Sequence, residues 1–453
     1  MNIYWRERVI NKIASAIVVL AVFCLLFYPA FFCLKVAFDP ALRRGEIPAF
    51  MFKDFKRVSG QYGKWAAGYL ASRRATKVDP GHVAATEWPM FGSVYYLVTA
   101  EEILSQLGDR DDAEAVKMKH AIRKAAKAAA DIVADPDTAS WVKAKWGDSY
   151  LDKENCFYRM LLIMGLSSYE RISADKTYHK LLSSQANSLA DELAGAQYHM
   201  LNDYPGECYP NDVLWAVAAI IRADGLIGAD HSKLKTDVLS VLNERSLSKE
   251  GIPAYSSMAD TAEPCDDARG CSNSGILIFA PELDIGIAGN WYDAYDKYFW
   301  QDNGFCSGFR EFPRDSKSRF SDADTGPVIA GYGTVASIFS IGPSRSLGRL
   351  DRSVPVTMEA IAISWPTPFG YVFPSLMAYF GTKAPPLGEV AMLFVMTRPI
   401  LTEGVTPYSG KVPGIVWTAI GIYLSAGIIL LVLEFRYWRR RYLKKNGNRK
   451  SKT

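Results

Sequence analysis

The chain has 453 residues, of which 49% are apolar and 22% charged, and its formal net charge is +4. This length allows one large core or two to three domains, and the 34 Gly and 23 Pro are too few for a disordered or fibrous chain. Three basic residues precede the first apolar run and nine follow the last, which leaves a middle with 40 basic and 46 acidic residues. Nucleic-acid binding is therefore disfavoured, and the basic ends indicate a membrane.

Two uncharged apolar runs of 22 residues lie near the ends of the chain, one between Lys12 and Lys35 and one between Lys411 and Glu434. About 20 apolar residues cross a bilayer as a helix. The alternatives are a signal peptide for the first run and a buried core helix for the second. The first run is too long for the apolar part of a signal peptide, and a basic tail follows the second.

The distribution of basic residues also predicts the topology, because Lys and Arg favour the cytoplasmic side. We expect a cytoplasmic N-terminus at 1–12 and transmembrane helices at 13–37 and 411–435. The extracytoplasmic domain then spans 38–410, and a basic cytoplasmic tail spans 436–453. The inner (cytoplasmic) membrane is the expected location, with the main domain in the periplasm or outside the cell. The membrane is an expected partner, and the arrangement is compatible with an oligomer.

The middle of the chain predicts an all-α domain, because apolar and amphipathic helical segments alternate and no series of alternating strands appears. Apolar helices are predicted at 88–104, 155–172, 212–223, 274–288, 327–341 and 358–380. Amphipathic helices are predicted at 55–72, 112–133, 176–194 and 232–244. The first five apolar helices start about 50–70 residues apart, which predicts six helical hairpins in an (α/α)6 toroid. A stacked α-solenoid is the alternative.

Acidic and aromatic residues precede the apolar helices, and in a toroid the N-termini of the inner helices meet at one mouth. A single acid at such a position is an ordinary helix cap, but capping does not explain three acids within the ten residues 203–212. Clustered carboxylates raise one another's pKa, which places a proton donor beside an acceptor. The predicted catalytic residues are Asp322, Asp324, Glu154, Glu207 and Asp212. The predicted substrate-binding residues are Glu87, Trp88, Asn155, Tyr158, Asp203, Tyr204, Tyr209 and Asn211.

Seven cysteines fit an oxidising compartment for the domain. Cys265 and Cys271 bracket the polar loop CDDARGC and are the predicted disulfide, while Cys208 and Cys306 form a second candidate pair with less support. The sequence contains no CxxC pair and no Cys/His cluster with the spacing of a zinc site. We therefore expect no structural zinc, no assigned metal and no cofactor, and a Ca²⁺ site formed by the acid cluster is the alternative.

The segments DKENCFYR, DYPGECYPNDVLWAV and FSDADTGPVIAGYG resemble the linalool dehydratase/isomerase family, in patches across residues 85–345. The resemblance implies an (α/α)6 toroid with its site at the mouth. The residues that match the family motifs are Glu154, Asn155, Tyr158, Asn211, Asp322 and Asp324. The family's active-site His corresponds to Leu161, and its two Cys fall near Leu201 and Pro210, so these positions are not retained.

Three functions are compatible with this sequence. The first is a membrane-anchored hydrolase or lyase that uses paired carboxylates on a glycan or glycolipid of the envelope. The second is dehydration or isomerisation of a small alcohol, as the family resemblance implies. The third is a non-catalytic binding or scaffold protein of the envelope. A long open groove favours the first, a closed apolar pocket with one or two acids favours the second, and a plugged funnel with every acid ion-paired favours the third.

Overall fold

The computed structural model describes residues 3–152, 154–318, 322 and 324–450, with side chains from residue 10 to residue 441. Part of the acidic segment 320–327 therefore lies outside the described residues. The chain is mostly helical, as predicted, with an apolar helix near each end. The helices are α1 (Ile3–Val22), α2 (Tyr28–Ala37), α3 (Pro40–Arg43), α4 (Ala49–Ala71), α5 (Val83–Thr86), α6 (Trp88–Leu107), α7 (Ala113–Ala134), α8 (Ser140–Trp146), α9 (Cys156–Ser173), α10 (His179–Gly195), α11 (Pro210–Ile227), α12 (Ser232–Glu244), α13 (Gly270–Leu283), α14 (Ile285–Phe299), α15 (Thr334–Ser346), α16 (Leu350–Ile363), α17 (Val372–Thr382), α18 (Pro386–Met396) and α19 (Gly414–Lys450).

Short strands form three antiparallel hairpins between the helices. They are β1 (Trp300–Asp302) with β2 (Ser307–Phe309), β3 (Val328–Ile329) with β4 (Tyr332–Gly333), and β5 (Pro366–Thr367) with β6 (Gly370–Tyr371). A π-helical turn (Phe23–Phe27) joins α1 to α2, and a 3-10 turn (Arg74–Lys77) follows α4.

Six helices form the centre of the domain, and we call α6, α9, α11, α13, α15 and α18 the core helices. Each core helix packs against the next in this order, and α18 packs against both α15 and α6. Helices α4, α7, α10, α12, α14 and α16 pack against them from outside. The sequence explains this division, because α9 is apolar on nearly all sides whereas α7 buries an Ala-rich face and exposes its charged one.

The sixth core helix is not where the sequence predicted it. The predicted helix at 358–380 is wrong, because α16 ends at Ile363 and a β-hairpin separates it from α17. Pro366 and Pro368 have no amide hydrogen and restrict the residue before them, so a helix does not continue through this segment. Trp365, directly before Pro366, has a left-handed φ of 53°. The sixth core helix is α18, which the sequence analysis did not identify.

The segments Ile10–Arg43 and Gly414–Arg441 are long and apolar enough to cross a membrane. The two segments pack against each other, since α19 contacts α1, α2 and the π-helical turn. Near the cytoplasmic ends that the sequence predicts, Ser15 Oγ donates to Glu434 Oε1 at 2.5 Å, and Trp438 Nε1 donates to the same oxygen at 2.8 Å. These polar contacts fix how the two helices pair.

Candidate active site

The first turns of the core helices bring together carboxylates that are far apart in the sequence. Glu87 directly precedes α6, Asp212 lies in the first turn of α11, and Asp324 lies in the loop before α15. Beyond the effect of burial, the charge of Asp324 raises the pKa of both Glu87 and Asp212. Such an effect falls off steeply with distance, so the three groups share one site. We call Glu87, Asp203, Asp212 and Asp324 the mouth carboxylates.

Glu87 is one of the two mouth carboxylates, with Asp212, whose pKa is raised to about 7 and which are suited to exchange a proton near neutral pH. Its side chain is partly buried, and the Tyr204 hydroxyl donates to Glu87 Oε1 at 3.2 Å. Burial and the charge of Asp324 raise the pKa of Glu87 to about 7, although the hydrogen bond from Tyr204 opposes this shift. A carboxyl group with this pKa is able both to give and to accept a proton at neutral pH.

Asp203 and Asp212 form a pair of carboxyl groups that shares a proton. Burial raises the pKa of both, and the two groups hydrogen-bond each other, which requires a proton on one of them. Asp203 is only 1% exposed, and its Oδ2 accepts the amide hydrogen of Tyr209 at 3.2 Å. Asn211 Nδ2 donates to Asp212 Oδ1 at 2.7 Å. This donor stabilises a charge on Asp212, so Asp203 is the member that keeps the proton.

The two acids of the Asp322–Asp324 segment have different roles. Burial raises the pKa of Asp322, but the amide of Thr325 and the Arg269 guanidinium outweigh burial and hold that pKa below its ordinary value. Arg269 Nη2 lies 3.0 Å from Asp322 Oδ2, and Asp322 Oδ1 accepts the amide hydrogen of Asp324 at 3.0 Å. Asp322 therefore anchors the loop, whereas desolvation and the charge of Asp322 raise the pKa of Asp324.

Arg269 was not identified from the sequence, although it is the basic residue directly before α13. Its Nε donates to Glu311 Oε1 at 2.9 Å, and its guanidinium carbon lies 4.4 Å from the centre of the Tyr255 ring. Glu311 is fully buried and also accepts the amide hydrogen of Cys271 at 3.2 Å. Arg269 thus joins the start of α13 to the loop that carries Asp324.

A layer of aromatic side chains from the core helices lies beneath the mouth carboxylates. The Tyr95 ring of α6 stacks on Phe394 of α18 with centroids 4.5 Å apart and meets Phe339 of α15 at 5.8 Å. Trp215 of α11 meets Phe279 of α13 at 4.6 Å. Burial and then the charges of Asp212 and Asp324 raise the pKa of the Tyr95 hydroxyl, which places this layer beside the acids. Of these five residues, only Trp215 lies in a segment that carries the family resemblance, DYPGECYPNDVLWAV.

Two further aromatic residues predicted at the site, Trp88 and Tyr209, lie around its rim. Trp88 is partly buried and packs beside α17, where a Cβ on Gly381 would lie 3.3 Å from Trp88 Cζ3. Tyr209 donates its hydroxyl to Glu207 Oε2 at 3.1 Å, and its ring lies 5.3 Å from that of Tyr255. Glu207 is exposed. This predicted catalytic residue therefore sits at the outer edge of the loop, whereas Asp203 and Asp212 lie inside it.

Three residues predicted from the KEN motif hold the fold around the start of α9. Glu154 Oε2 accepts the amide hydrogen of Asn202 at 3.0 Å. Asn155 is fully buried and donates from Nδ2 to the Tyr150 carbonyl at 2.8 Å. Tyr158 is 2% exposed, and its ring packs against Tyr150 with centroids 5.6 Å apart. These contacts engage all three side chains with protein, and Asn202, the partner of Glu154, directly precedes Asp203 in the chain.

The predicted disulfide between Cys265 and Cys271 is not formed, because both sulfurs are free thiols. Cys265 is exposed in the loop, where its amide pairs with the Ser256 carbonyl. Cys271 is buried in the first turn of α13 and donates from Sγ to Glu311 Oε1 at 3.1 Å. The contact with Glu311 directs this sulfur towards the domain interior. Cys208 and Cys306, the second candidate pair, are also free thiols.

The opposite ends of the core helices carry a network of charges around a cavity of about 300 Å³. Arg222 Nη1 lies 2.9 Å from Glu282 Oε2, and Arg222 Nη2 lies 2.5 Å from Glu101 Oε2. Arg398 also pairs with Glu282. Arg398 and Arg222 hold the pKa of Glu282 below its ordinary value in spite of its burial. Glu101 and Glu282 are thus paired with arginines, unlike Glu87 and Asp212 at the mouth.

Within the described ranges, no group of three or more His, Cys, Asp or Glu residues is arranged to hold a metal ion. No protein-family model matches the chain, and no curated protein matches it. The function therefore has to be inferred from the geometry and electrostatics of the mouth carboxylates.

Gly275→Ala is predicted to disturb the site through Asn211. A Cβ at position 275 would lie 2.6 Å from Asn211 Oδ1, which displaces the side chain that donates to Asp212. We expect a loss of about 1–3 kcal/mol from this overpacking, seen as a lower melting temperature of the full chain. Gly225→Ala in α11 is the matched control, because no heavy atom lies within 4 Å of its added Cβ. Equal melting temperatures for the two variants would contradict this packing.

Proposed function

We propose that the protein is a membrane-anchored enzyme that uses the mouth carboxylates for acid/base catalysis on a glycan or glycolipid of the cell envelope. The observation that carries the proposal is the pKa of about 7 at Glu87, next to Asp212 and Asp324. Several carboxyl groups that lie together and have strongly shifted pKa values are typical of catalytic centres. A protein that used these acids only as helix caps would have no need to desolvate them together.

We also propose that the domain is an (α/α)6 toroid. Support comes from the series of contacts between core helices, which starts at α6 and returns to α6 through α18. Further support comes from the mouth carboxylates, which sit before or in the first turns of α6, α11 and α15. Helices that run in the same direction around a closed ring would place their N-termini at one end. The resemblance to the linalool dehydratase/isomerase family is consistent with this fold and remains a proposal.

In the proposed chemistry, a protonated carboxyl group gives its proton to a leaving oxygen, and an ionised one activates water or removes a proton from the sugar. Glu87 has the pKa for the first role. Asp324 is the most exposed mouth carboxylate and faces solvent for the second role. Asp203 stays hydrogen-bonded to Asp212 and holds a proton that it is able to give to Asp212. Tyr95 and Phe339, which are the partly exposed members of the aromatic layer, offer ring surface on which a sugar ring stacks.

The aromatic layer also favours a second candidate function, a lyase or isomerase reaction on a small and partly apolar alcohol. Tyr95 and Phe339 would contact the hydrocarbon part, and the carboxylates would move the protons. This reaction agrees with the family resemblance, but Leu161 occupies the position of the family's active-site His. The two reactions differ in their products, since hydrolysis adds water to the substrate and dehydration removes it.

The membrane anchoring and its topology are part of the proposal, and the two apolar terminal helices support them. A reporter that is active only in the cytoplasm is predicted to be active when fused after Thr453, because the tail is basic. The same reporter inserted near Asp266 in the domain is predicted to be silent. Activity of the insertion at Asp266 would overturn the proposed topology.

Untargeted substrate profiling tests the proposed activity. The full chain in detergent is incubated with an extract of cell-envelope lipids and glycans, and mass spectrometry follows which species disappear. We expect the wild type to deplete a sugar-containing species and the Glu87→Gln/Asp212→Asn variant to leave it intact. Depletion of an alcohol with loss of water would favour the second candidate. No difference between wild type and variant would contradict a catalytic role for the mouth carboxylates.

A further inference from the structure

Helix α17 exposes an apolar stripe and contains no charged residue. The stripe consists of Phe373, Leu376, Met377 and Phe380, which recur at the spacing of one helix face. Their exposed fractions are 47%, 44%, 56% and 76%. Phe369 in the preceding turn is 72% exposed. A stripe of large exposed apolar side chains on one helix is typical of a surface that contacts a membrane or another protein.

The other face of α17 packs onto the ends of the core helices beside the mouth carboxylates. A Cβ on Gly388 of α18 would lie 2.3 Å from the Pro374 carbonyl oxygen, so α17 crosses closely over the start of α18. Ala378 is buried, and Gly381 approaches the Trp88 ring at the start of α6. The apolar stripe is therefore part of the rim of the proposed active site.

Two hydrogen bonds connect the region around α17 to the apolar terminal segments and fix its position along them. Trp365 Nε1, in the turn that leads into α17, donates to the Leu25 carbonyl at 2.7 Å. The Tyr423 hydroxyl of α19 donates to the Ala362 carbonyl at 2.9 Å. Leu25 and Tyr423 each lie near the middle of their uncharged run. If both runs cross the membrane as proposed, the turn before α17 would lie well inside one leaflet, since the hydrocarbon core is about 30 Å thick.

The orientation of the domain follows from the opposite end of α16. Leu350, at the start of α16, packs near Gly45, which lies beyond the charged end of the first apolar run. Arg345, in the last turn of α15, donates from Nη2 to the Gly45 carbonyl at 3.0 Å. With the proposed anchoring, the ends of the core helices opposite to the site would lie outside the bilayer and the rim at α17 within it. The site would then face the membrane.

From this geometry we infer that the apolar stripe of α17 lies in the acyl chains of the leaflet on the domain's side. We further infer that the site takes a lipid-borne substrate. The polar headgroup of such a molecule enters among the mouth carboxylates while its hydrocarbon chain stays in the leaflet beside Phe380. This inference rests on the proposed membrane anchoring and acid/base function, and it narrows the substrate class from glycan or glycolipid to glycolipid.

A photo-crosslinking experiment tests the immersion of α17. The photoreactive amino acid p-benzoylphenylalanine replaces Phe380, Ile17 or Ile285 in the full chain, which is irradiated in native membranes and analysed by mass spectrometry. Ile17 lies in the first apolar run, and Ile285, 43% exposed, starts α14 at the opposite end of the domain. We expect phospholipid adducts at Phe380 and Ile17 and none at Ile285. Met377 is the second position to be substituted if the Phe380 variant fails to accumulate.

The outcomes separate the inference from the proposals on which it rests. Lipid adducts at Ile17 but none on α17, or a protein adduct on α17, would overturn the immersion and leave the anchoring intact. No lipid adduct at Ile17 would overturn the anchoring itself.

In the substrate profiling, we expect the depleted species in the organic phase of the extract. Depletion of a water-soluble species alone would overturn the lipid-borne substrate, whereas no depletion would overturn the enzymatic function.

Discussion

Glu87→Gln is expected to lower turnover of the substrate found by profiling by about 10²–10⁴-fold, the usual contribution of a general acid or base. The amide keeps the size of the side chain and its acceptor for the Tyr204 hydroxyl but has no proton to exchange. Initial rates of the two proteins in the same detergent measure the effect. Glu263→Gln, a change at an exposed loop residue, is the control and is expected to leave the rate unchanged.

The same variant is expected to unfold at a higher temperature than wild type above pH 7. Burial and the charge of Asp324 raise the pKa of Glu87 above its unfolded value of 4.5. Ionisation therefore costs stability as the pH rises from about 4.5 and the full cost is present above about 7. Removing the charge should recover roughly 1–3 kcal/mol at pH 8 and nothing at pH 4. A variant that is as active as wild type and less stable at pH 8 would identify Glu87 as a structural residue.

Arg269→Met is expected to destabilise the domain by about 3–5 kcal/mol, because removing one partner of a buried ion pair leaves an uncompensated charge. Glu311 is fully buried and loses the donor that lies 2.9 Å from its Oε1. Asp322 loses the guanidinium that fixes the loop before α15. The melting temperature of the full chain measures the loss, and turnover should fall because Asp324 is displaced.

A second substitution separates the buried charge from the lost packing of Arg269. Glu311→Gln in the Arg269→Met background is expected to recover part of the stability, since the remaining buried group is then neutral. Arg110→Met is the control, because its partner Asp112 is exposed and surface pairs contribute about 0–1 kcal/mol. A loss at Arg269 no larger than that at Arg110 would contradict its role as an anchor.

The core helices that the sequence predicted most accurately are those whose signal is local. α6 starts at the predicted Trp88, and α9 starts at Cys156, one residue after the predicted start. A helix that is buried between neighbouring helices has apolar residues on all its sides. This pattern is visible in the sequence alone. The sixth core helix was misplaced because the run at 358–380 is apolar for reasons other than burial in the domain core. One part of this run contacts the terminal helices, and the other part forms the exposed stripe of α17.

The sequence predicted that the acids before the apolar helices form one site, and the interaction of Asp324 with Glu87 and Asp212 is consistent with that prediction. The roles of Asp322 and Asp324 are indistinguishable in the sequence. Their roles differ because Arg269 pairs with Asp322, and that contact depends on how the start of α13 packs against the loop. Tyr95 and Phe394 were missed for the same reason, since an aromatic residue in an apolar helix gives no sign that it faces the acids.

The most direct test of the proposed site is the protonation of its carboxyl groups, measured by infrared spectroscopy of the full chain between pH 5 and pH 9. The site predicts a protonated-carboxyl band that weakens around pH 7 and loses amplitude in both Glu87→Gln and Asp212→Asn. Burial also raises the pKa of Glu359 to about 7, so Glu359→Gln identifies the separate part of the band that does not belong to the site. A band whose change around pH 7 is unaltered in Glu87→Gln and Asp212→Asn would contradict an acid/base site at the mouth.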